Sequence, residues 1–206
     1  MADLTVQDIK KLKEESKRGF NQTIDLAITI QGLDVKKPEN RMREAIRLPH
    51  KVKEAKVCFI VEGLFGIAKE TKNKVLSKNE LDFKKREGRN LSRDYDFFAI
   101  ETPLMPTAAK ALGKYIGPRN KQMMPVPPTL KDLKPFIEGL NHTVQINITK
   151  APTVQIAIGK TDLKDEQLLE NYNYLMEKLK TKLEPKKAQI KNIYIKTTMG
   201  KPVKVM

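Results

Sequence analysis

Val57-Cys58-Phe59-Ile60-Val61 is an unbroken apolar run of strand length, and its reading decides the fold. A strand with one wet face alternates in polarity. A run with no polar break therefore predicts a strand covered on both faces, as in a parallel sheet layered between helices. Phe97-Phe98-Ala99-Ile100 repeats the pattern. Helices are expected from about Leu64 to Lys74, from about Asn79, and from Pro106 to Ile116, where Gly117-Pro118 ends the last one. Short Val75-Leu76 lies between the first two. Residues 55–142 thus read as an inserted three-layer, Rossmann-like α/β domain. The lone Cys58 sits inside the first run, so a buried, inert thiol is expected, and one cysteine excludes both an internal disulfide and a cysteine-based zinc cluster.

Outward from this segment the strands change character. Ile24, Leu26, Ile28 and Ile30 alternate with Thr23, Asp25, Ala27 and Thr29, the pattern of a half-buried strand that Gly32 stops. Val144, Ile146 and Ile148 form a second stripe, Val154, Ile156 and Ile158 a third, and Ile193, Ile195 and Thr197 a fourth within a strand at 190–198. Residues 44–48 read as a further strand, ended at Leu48-Pro49. Two helices are expected beside them. The first, at 5–18, has Thr5 as its cap and Val6, Ile9 and Leu12 as its stripe. The second, at 165–183, buries Leu168, Leu169, Tyr172, Leu175, Met176, Leu179 and Leu183. Half-buried strands at both ends around buried strands in the middle predict a nested chain. Residues 1–54 and 143–206 would build one discontinuous α+β domain, with Ile24–Ile30 and Ile193–Thr197 in one core, and the overall class is α/β.

The formal charge of +15, from 40 Lys and Arg against 25 Asp and Glu, points to a polyanionic partner. It is spread over both parts: 24 basic against 15 acidic residues in the outer segments, and 16 against 10 in residues 55–142. A basic membrane-surface or general polyanion-binding module is the alternative class, given the nine lysines of residues 176–206. Asp165, Glu166, Glu170 and Glu177 interrupt the lysines of the 165–183 helix, which suits protein packing better than anionic lipid. No stretch has the length to span a bilayer and no apolar signal core opens the chain, so a cytoplasmic setting without a membrane partner is expected.

Nothing in the sequence assembles a catalyst. No Gly-x-Gly-x-x-Gly follows the first buried strand, Glu62-Gly63-Leu64-Phe65-Gly66 has its glycines at the wrong spacing, and no phosphate-cradling Lys-Ser/Thr pair exists. His50 and His142 are the only histidines, with no evident carboxylate or metal-ligand company. No catalytic residue, metal or cofactor is expected.

The end of the chain carries the binding signal. Tyr194-Ile195-Lys196-Thr197-Thr198-Met199-Gly200-Lys201 runs from a strand into a turn. The Thr198 hydroxyl both donates and accepts, which suits a ribose 2′-OH, and Gly200 offers close approach to its backbone. A plain strand end with a solvated tail is the competing reading. On the binding reading Thr198→Ala and Gly200→Val weaken RNA affinity in proteins that stay folded.

This Thr198-Met199-Gly200 motif resembles that of the universal large-subunit ribosomal protein L-one family, the lateral-stalk proteins. Lys36-Lys37-Pro38-Glu39-Asn40-Arg41 resembles the string after the first strand in its archaeal and eukaryotic form, and Leu48-Pro49-His50 the close of the second strand. Phe20-Asn21-Gln22-Thr23, Asp96-Phe97-Phe98-Ala99, Leu104-Met105-Pro106 and the loop Gly117–Pro127 are similar too. Departures are Asn120 for a glycine, an extra residue before the second proline of that loop, and Lys201 between Gly200 and Pro202. Asn tolerates the left-handed turn that glycine would make there. The resemblance implies a non-enzymatic constituent of the large ribosomal subunit, binding ribosomal RNA to form the mobile stalk near the transfer-RNA exit site. It also implies contact with exit-site transfer RNA, repression of translation through the protein's own messenger RNA, and a monomer outside the ribosome. The implied RNA-contact set is Phe20, Lys36, Lys37, Arg41, His50, Lys196, Thr198, Met199, Gly200 and Lys201. The lysines and Arg41 would hold phosphates, while Phe20, Thr198 and the Met199-Gly200 backbone would fit against sugars in a shallow minor groove. No aromatic pair suited to stacking single-stranded bases accompanies them.

Overall fold

Alternating burial along β1 (Thr23–Gln31) puts Ile24, Leu26, Ile28 and Ile30 on a dry face and leaves Thr23, Asp25, Ala27 and Thr29 on the other. The computed structural model describes residues 4–71, 73–82, 84–129, 132–149 and 151–205. The chain divides into two units, one running up to Lys53 and resuming at His142, the other Glu54–Asn141.

In the first unit β1 lies between β8 (Thr153–Lys160) and β9 (Gln189–Thr197), antiparallel to both, and β10 (Val203–Lys204) pairs with the outer edge of β9. Leu26 stands opposite Ile195 and Ile28 opposite Ile193, so the two ends of the chain share one core. A separate antiparallel pair, β2 (Met42–Arg47) with β7 (Thr143–Ile148), closes that core with Met42, Ile46, Ile146 and Ile148.

Two helices pack onto the same core. α1 (Val6–Glu15) begins at a capping box in which Thr5 Oγ1 accepts from the Asp8 amide and the Thr5 amide donates to Asp8 Oδ2 at 3.0 Å. The Thr5 hydroxyl, which also donates to Asp8 Oδ2 at 2.6 Å, and after it the Thr5 amide hold the Asp8 carboxyl below its ordinary range. α6 (Asp165–Leu183) buries Leu168, Tyr172, Leu175, Met176, Leu179 and Leu183. Lys13 joins the two helices, with Nζ 2.6 Å from Asp165 Oδ1 and donating to Leu163 O.

The second unit is a four-stranded parallel sheet in the order β4-β3-β5-β6, built from β3 (Val57–Ile60), β4 (Lys74–Leu76), β5 (Phe97–Glu101) and β6 (Gln122–Val126). Its helices are α2 (Phe65–Glu70), α3 (Lys85–Asp94), α4 (Met105–Ile116) and α5 (Lys134–Asn141). Cys58, Ile60, Phe98 and Ile100 meet Leu91, Leu112 and Ile116 of α3 and α4 on one face. Val57, Phe59, Phe97 and Ala99 meet Ala68 of α2 and Leu140 of α5 on the other. Both faces are dry, which is why β3 carries no polar residue and β5 none before Glu101 at its end. Burial pushes the Cys58 thiol up to about 12, slightly offset by Lys74, so it is no nucleophile at neutral pH.

Several element boundaries differ from those the sequence suggests. α2 stops at Glu70 rather than Lys74, because the Thr71 amide and hydroxyl both donate to Ala68 O and end the helix. The charged helix starts at Lys85 rather than near Asn79. A 3-10 turn, Lys78–Leu81, precedes it, with Ser77 and Glu80 forming its own capping box. β6, α5 and β10 appear in addition. Asn120 adopts the left-handed conformation, φ 54°, so the asparagine preserves the turn expected of a glycine.

Candidate nucleic-acid interface

The terminal turn is held against the start of β1. The Thr198 amide donates to Thr23 O at 3.0 Å, and Thr198 Oγ1 accepts from the Thr23 amide at 3.2 Å while donating to Thr23 O at 3.3 Å. The Thr198 side chain thus continues the β1–β9 ladder past its last strand residue. Its proton is used internally, so toward an outside partner the hydroxyl is an acceptor, not the two-way group the sequence suggests. Gly200 N donates to Thr197 O at 3.2 Å and closes the turn. The Met199 amide donates to Gln22 Oε1 at 3.0 Å.

Gly200 is small for an internal reason. A Cβ there would overlap Thr197 Oγ1 and stand 3.1 Å from Ser16 Cβ. Thr197 is fully buried and its Oγ1 has no hydrogen-bond partner. The expectation that Gly200→Val stays folded is therefore corrected: the branched side chain enters the protein as well as any contact.

Around this turn lies an apolar and cationic surface. Phe20 is 55% exposed and Met199 66%. A cleft of about 300 Å³ here is lined by Met199, Gly200 and Lys201 and, from the end of α1 onward, by Glu15, Ser16 and Arg18, so one carboxylate stands among the cations. Arg18, which the sequence reading passed over, stands two residues before Phe20 in a run of exposed positions. Lys196 points out from the wet face of the sheet, directly opposite Asp25.

Burial raises the Asp25 carboxyl above its ordinary pKa, opposed by Lys196 and then Lys53. The folded state therefore holds a proton that the unfolded chain releases first. Stability falls as pH rises from the ordinary carboxylate value through the raised one, and remains lowered at neutral pH. Asp25→Asn should accordingly be the more stable protein in neutral melts. The difference should vanish below the ordinary carboxylate pKa, and a wild type more stable at pH 7 would contradict this.

The remaining cations stand elsewhere. Lys36, Lys37 and Arg41 follow the far end of β1, about 26 Å from Thr23 at strand rise. Their loop is preformed: Asp34 Oδ1 accepts from the Lys36 amide at 3.0 Å, Asn40 Nδ2 donates to Asp34 O at 2.8 Å, and Arg41 Nε donates to Val35 O at 3.3 Å. Lys186, also overlooked in the sequence, joins them by donating to Glu39 O at 3.0 Å. Lys36, Lys37, Arg41 and Lys201 are all exposed. The ten residues of the implied contact set thus fall into separate groups, one at each end of the β1–β9 ladder and a third at His50.

His50 has the carboxylate that the sequence did not reveal. Its Nε2 lies 2.5 Å from Glu170 Oε2 on α6. Its amide donates to Asn171 Oδ1 at 2.9 Å, and Asn171 Nδ2 donates to Ile158 O at 2.9 Å and His50 O at 3.3 Å. Asn171 is fully buried, and its amide ties the Leu48-Pro49-His50 turn to α6 and β8. His142 Nδ1 donates toward Leu48 O and Pro49 O, at 3.3 and 3.1 Å. Both histidines are thus engaged with this turn.

In the second unit, the crevice where a parallel sheet would cradle a phosphate is filled by the chain itself. Glu101 Oε2, at the carboxyl end of β5, accepts from the Glu62 amide at 2.7 Å and the Gly63 amide at 3.1 Å. Among the described residues no three His, Cys, Asp or Glu side chains gather as a ligand set, and no helix is long and apolar enough to cross a membrane.

Residues 12–201 match the family described as the ribosomal protein L1p/L10e family. A curated protein of Thermococcus kodakarensis, large ribosomal subunit protein uL1, is 41% identical over 206 residues, covering 97% of this chain and 95% of its own. The uL1 protein of Pyrococcus abyssi is 39% identical, covering 97% and 94%. That of Methanobrevibacter smithii is 36% identical over 213 residues and covers both chains completely.

Proposed function

Given that the chain belongs to the ribosomal protein L1p/L10e family, and so is a structural ribosomal protein rather than an enzyme, we propose that it binds large-subunit ribosomal RNA through the terminal-turn end of its first unit. The observation that carries this reading is the pair Phe20 and Met199, large apolar side chains left exposed beside Arg18, Lys196 and Lys201. Exposed apolar groups set among cations suit sugar faces flanked by phosphates. Thr198 Oγ1 keeps a lone pair for a ribose hydroxyl. In the subunit this contact would anchor the lateral stalk near exiting transfer RNA. A messenger RNA segment of similar shape would compete for the same surface and allow repression.

The far cluster of Lys36, Lys37 and Arg41 supplies phosphate contacts along the same ladder. The membrane alternative is disfavoured by α6, whose apolar face is spent on the core. Its polar face is partly engaged too, with Lys182 paired to Glu44 and Asp165 to Lys13.

Filter binding to a large-subunit ribosomal RNA fragment and to an unrelated duplex, across a salt series, tests the proposal. The fragment is expected to bind more tightly at every salt concentration. Lys36→Ala and Lys37→Ala should each weaken both RNAs alike and reduce the salt slope by about one. Equal affinity of the wild type for the two RNAs would leave only a general polyanion binder.

A further inference from the structure

We propose that Gln22 is the positioning residue of the RNA contact: it touches no RNA but sets the terminal turn in its binding geometry. The inference rests on the reading of that turn as the RNA site. Gln22 is 2% exposed, and its amide is used at both ends. Oε1 accepts from the Met199 amide at 3.0 Å, while Nε2 donates to Ser16 O at the end of α1. Its backbone is fixed independently, the amide donating to Thr161 Oγ1 at 3.1 Å and the carbonyl accepting from the Thr161 amide at 2.9 Å. The side chain therefore starts from a rigid base and spans from the α1 terminus to the turn.

Both anchor points, Ser16 and Met199, lie in the lining of the cleft that Arg18 and Lys201 share. Gln22 thereby sets the spacing between Arg18 and Met199, and between both and Phe20, two residues before it. Loss of the amide leaves every cation and both apolar groups in place but frees their spacing. Generic phosphate attraction survives such a change, and fit to one RNA shape does not.

Gln22→Met fills the same volume without either hydrogen bond. Gln22→Glu keeps the acceptor for the Met199 amide, and on protonation regains a donor for Ser16 O. Three quantities are read: dissociation constants for the ribosomal RNA fragment and the unrelated duplex, the salt slope, and hydrogen exchange of the Met199 amide without RNA. All are taken at a temperature where melts show folded protein.

For Gln22→Met, the expected result is faster exchange at Met199, fragment affinity reduced about tenfold, and duplex affinity and salt slope unchanged. Gln22→Glu should bind the fragment better than Gln22→Met, and better still as pH falls. If Gln22→Met does not fold, this pH-dependent recovery in Gln22→Glu is the deciding readout, and its absence overturns the inference. A folded Gln22→Met with wild-type fragment affinity, or with Met199 still protected, also overturns it. Failure of the underlying RNA reading has a different signature: Met199→Ala, which leaves the Gln22 bonds intact, would bind the fragment normally.

Discussion

Phe98→Ala should destabilise the second unit by about 3–5 kcal/mol and leave RNA affinity unchanged. Phe98 is fully buried and faces α3 and α4 with Cys58, Ile60, Leu112 and Ile116. Removing the ring from a core of that density leaves a cavity that strands fixed by neighbours on both sides cannot collapse. The first unit has its own core, built from other residues, and holds every proposed RNA contact. Cys58 reports the loss directly, because it is the register partner of Phe98 and its thiol is unreactive while buried. Thiol labelling should therefore become faster in the variant at temperatures where the ribosomal RNA fragment is still bound with wild-type affinity. Loss of RNA binding under those conditions would show that the second unit belongs to the interface.

Gly200→Val should produce the opposite pattern, with the first unit damaged and RNA binding lost. The new side chain meets Thr197 Oγ1, buried in the sheet, and Ser16 Cβ, at the end of α1. Thr197 is β-branched and enclosed, so it has little room to turn away. Forcing extra methyl groups into such a site costs about 1–3 kcal/mol. The strain falls on the segment that carries Thr198, Met199 and Lys201. A melting temperature lowered for the first unit, together with fragment affinity lowered at least tenfold, is expected. Normal melting with normal affinity would mean that the turn has slack the packing does not reveal.

The features legible in the sequence were those with strict periodicity. Alternation in β1 and β9 defined a wet and a dry face, and the unbroken run in β3 announced a second face of helices. β6 was invisible because Gln122-Met123-Met124-Pro125-Val126 neither alternates nor avoids proline, and an edge strand tolerates both departures. α5 is only Lys134–Asn141, too short for a clear apolar stripe. At the proposed interface, Phe20, Met199 and the lysines were named from their motifs, but their exposure and their separation into clusters needed the structure. Gln22 carried a signal that went unread: it is in phase with Ile24 and Leu26 along the strand, an amide where the pattern calls for an apolar side chain. Asn171 stands beside Tyr172 on the buried side of α6 and is its counterpart there. A polar residue in a core position implies a hydrogen-bonding partner, yet each has a partner that only the fold brings near, Met199 for Gln22 and His50 for Asn171.

The most direct measurement is the dissociation constant of the double variant Phe20→Ala/Met199→Ala for the large-subunit ribosomal RNA fragment, at one fixed salt concentration. Both side chains are exposed, so the melt should match that of the wild type. If they form the apolar centre of the contact, the pair is worth about 2 kcal/mol or more, and affinity should fall at least about thirtyfold with the salt slope unchanged. Wild-type affinity in the well-folded double variant would place the RNA elsewhere on the protein.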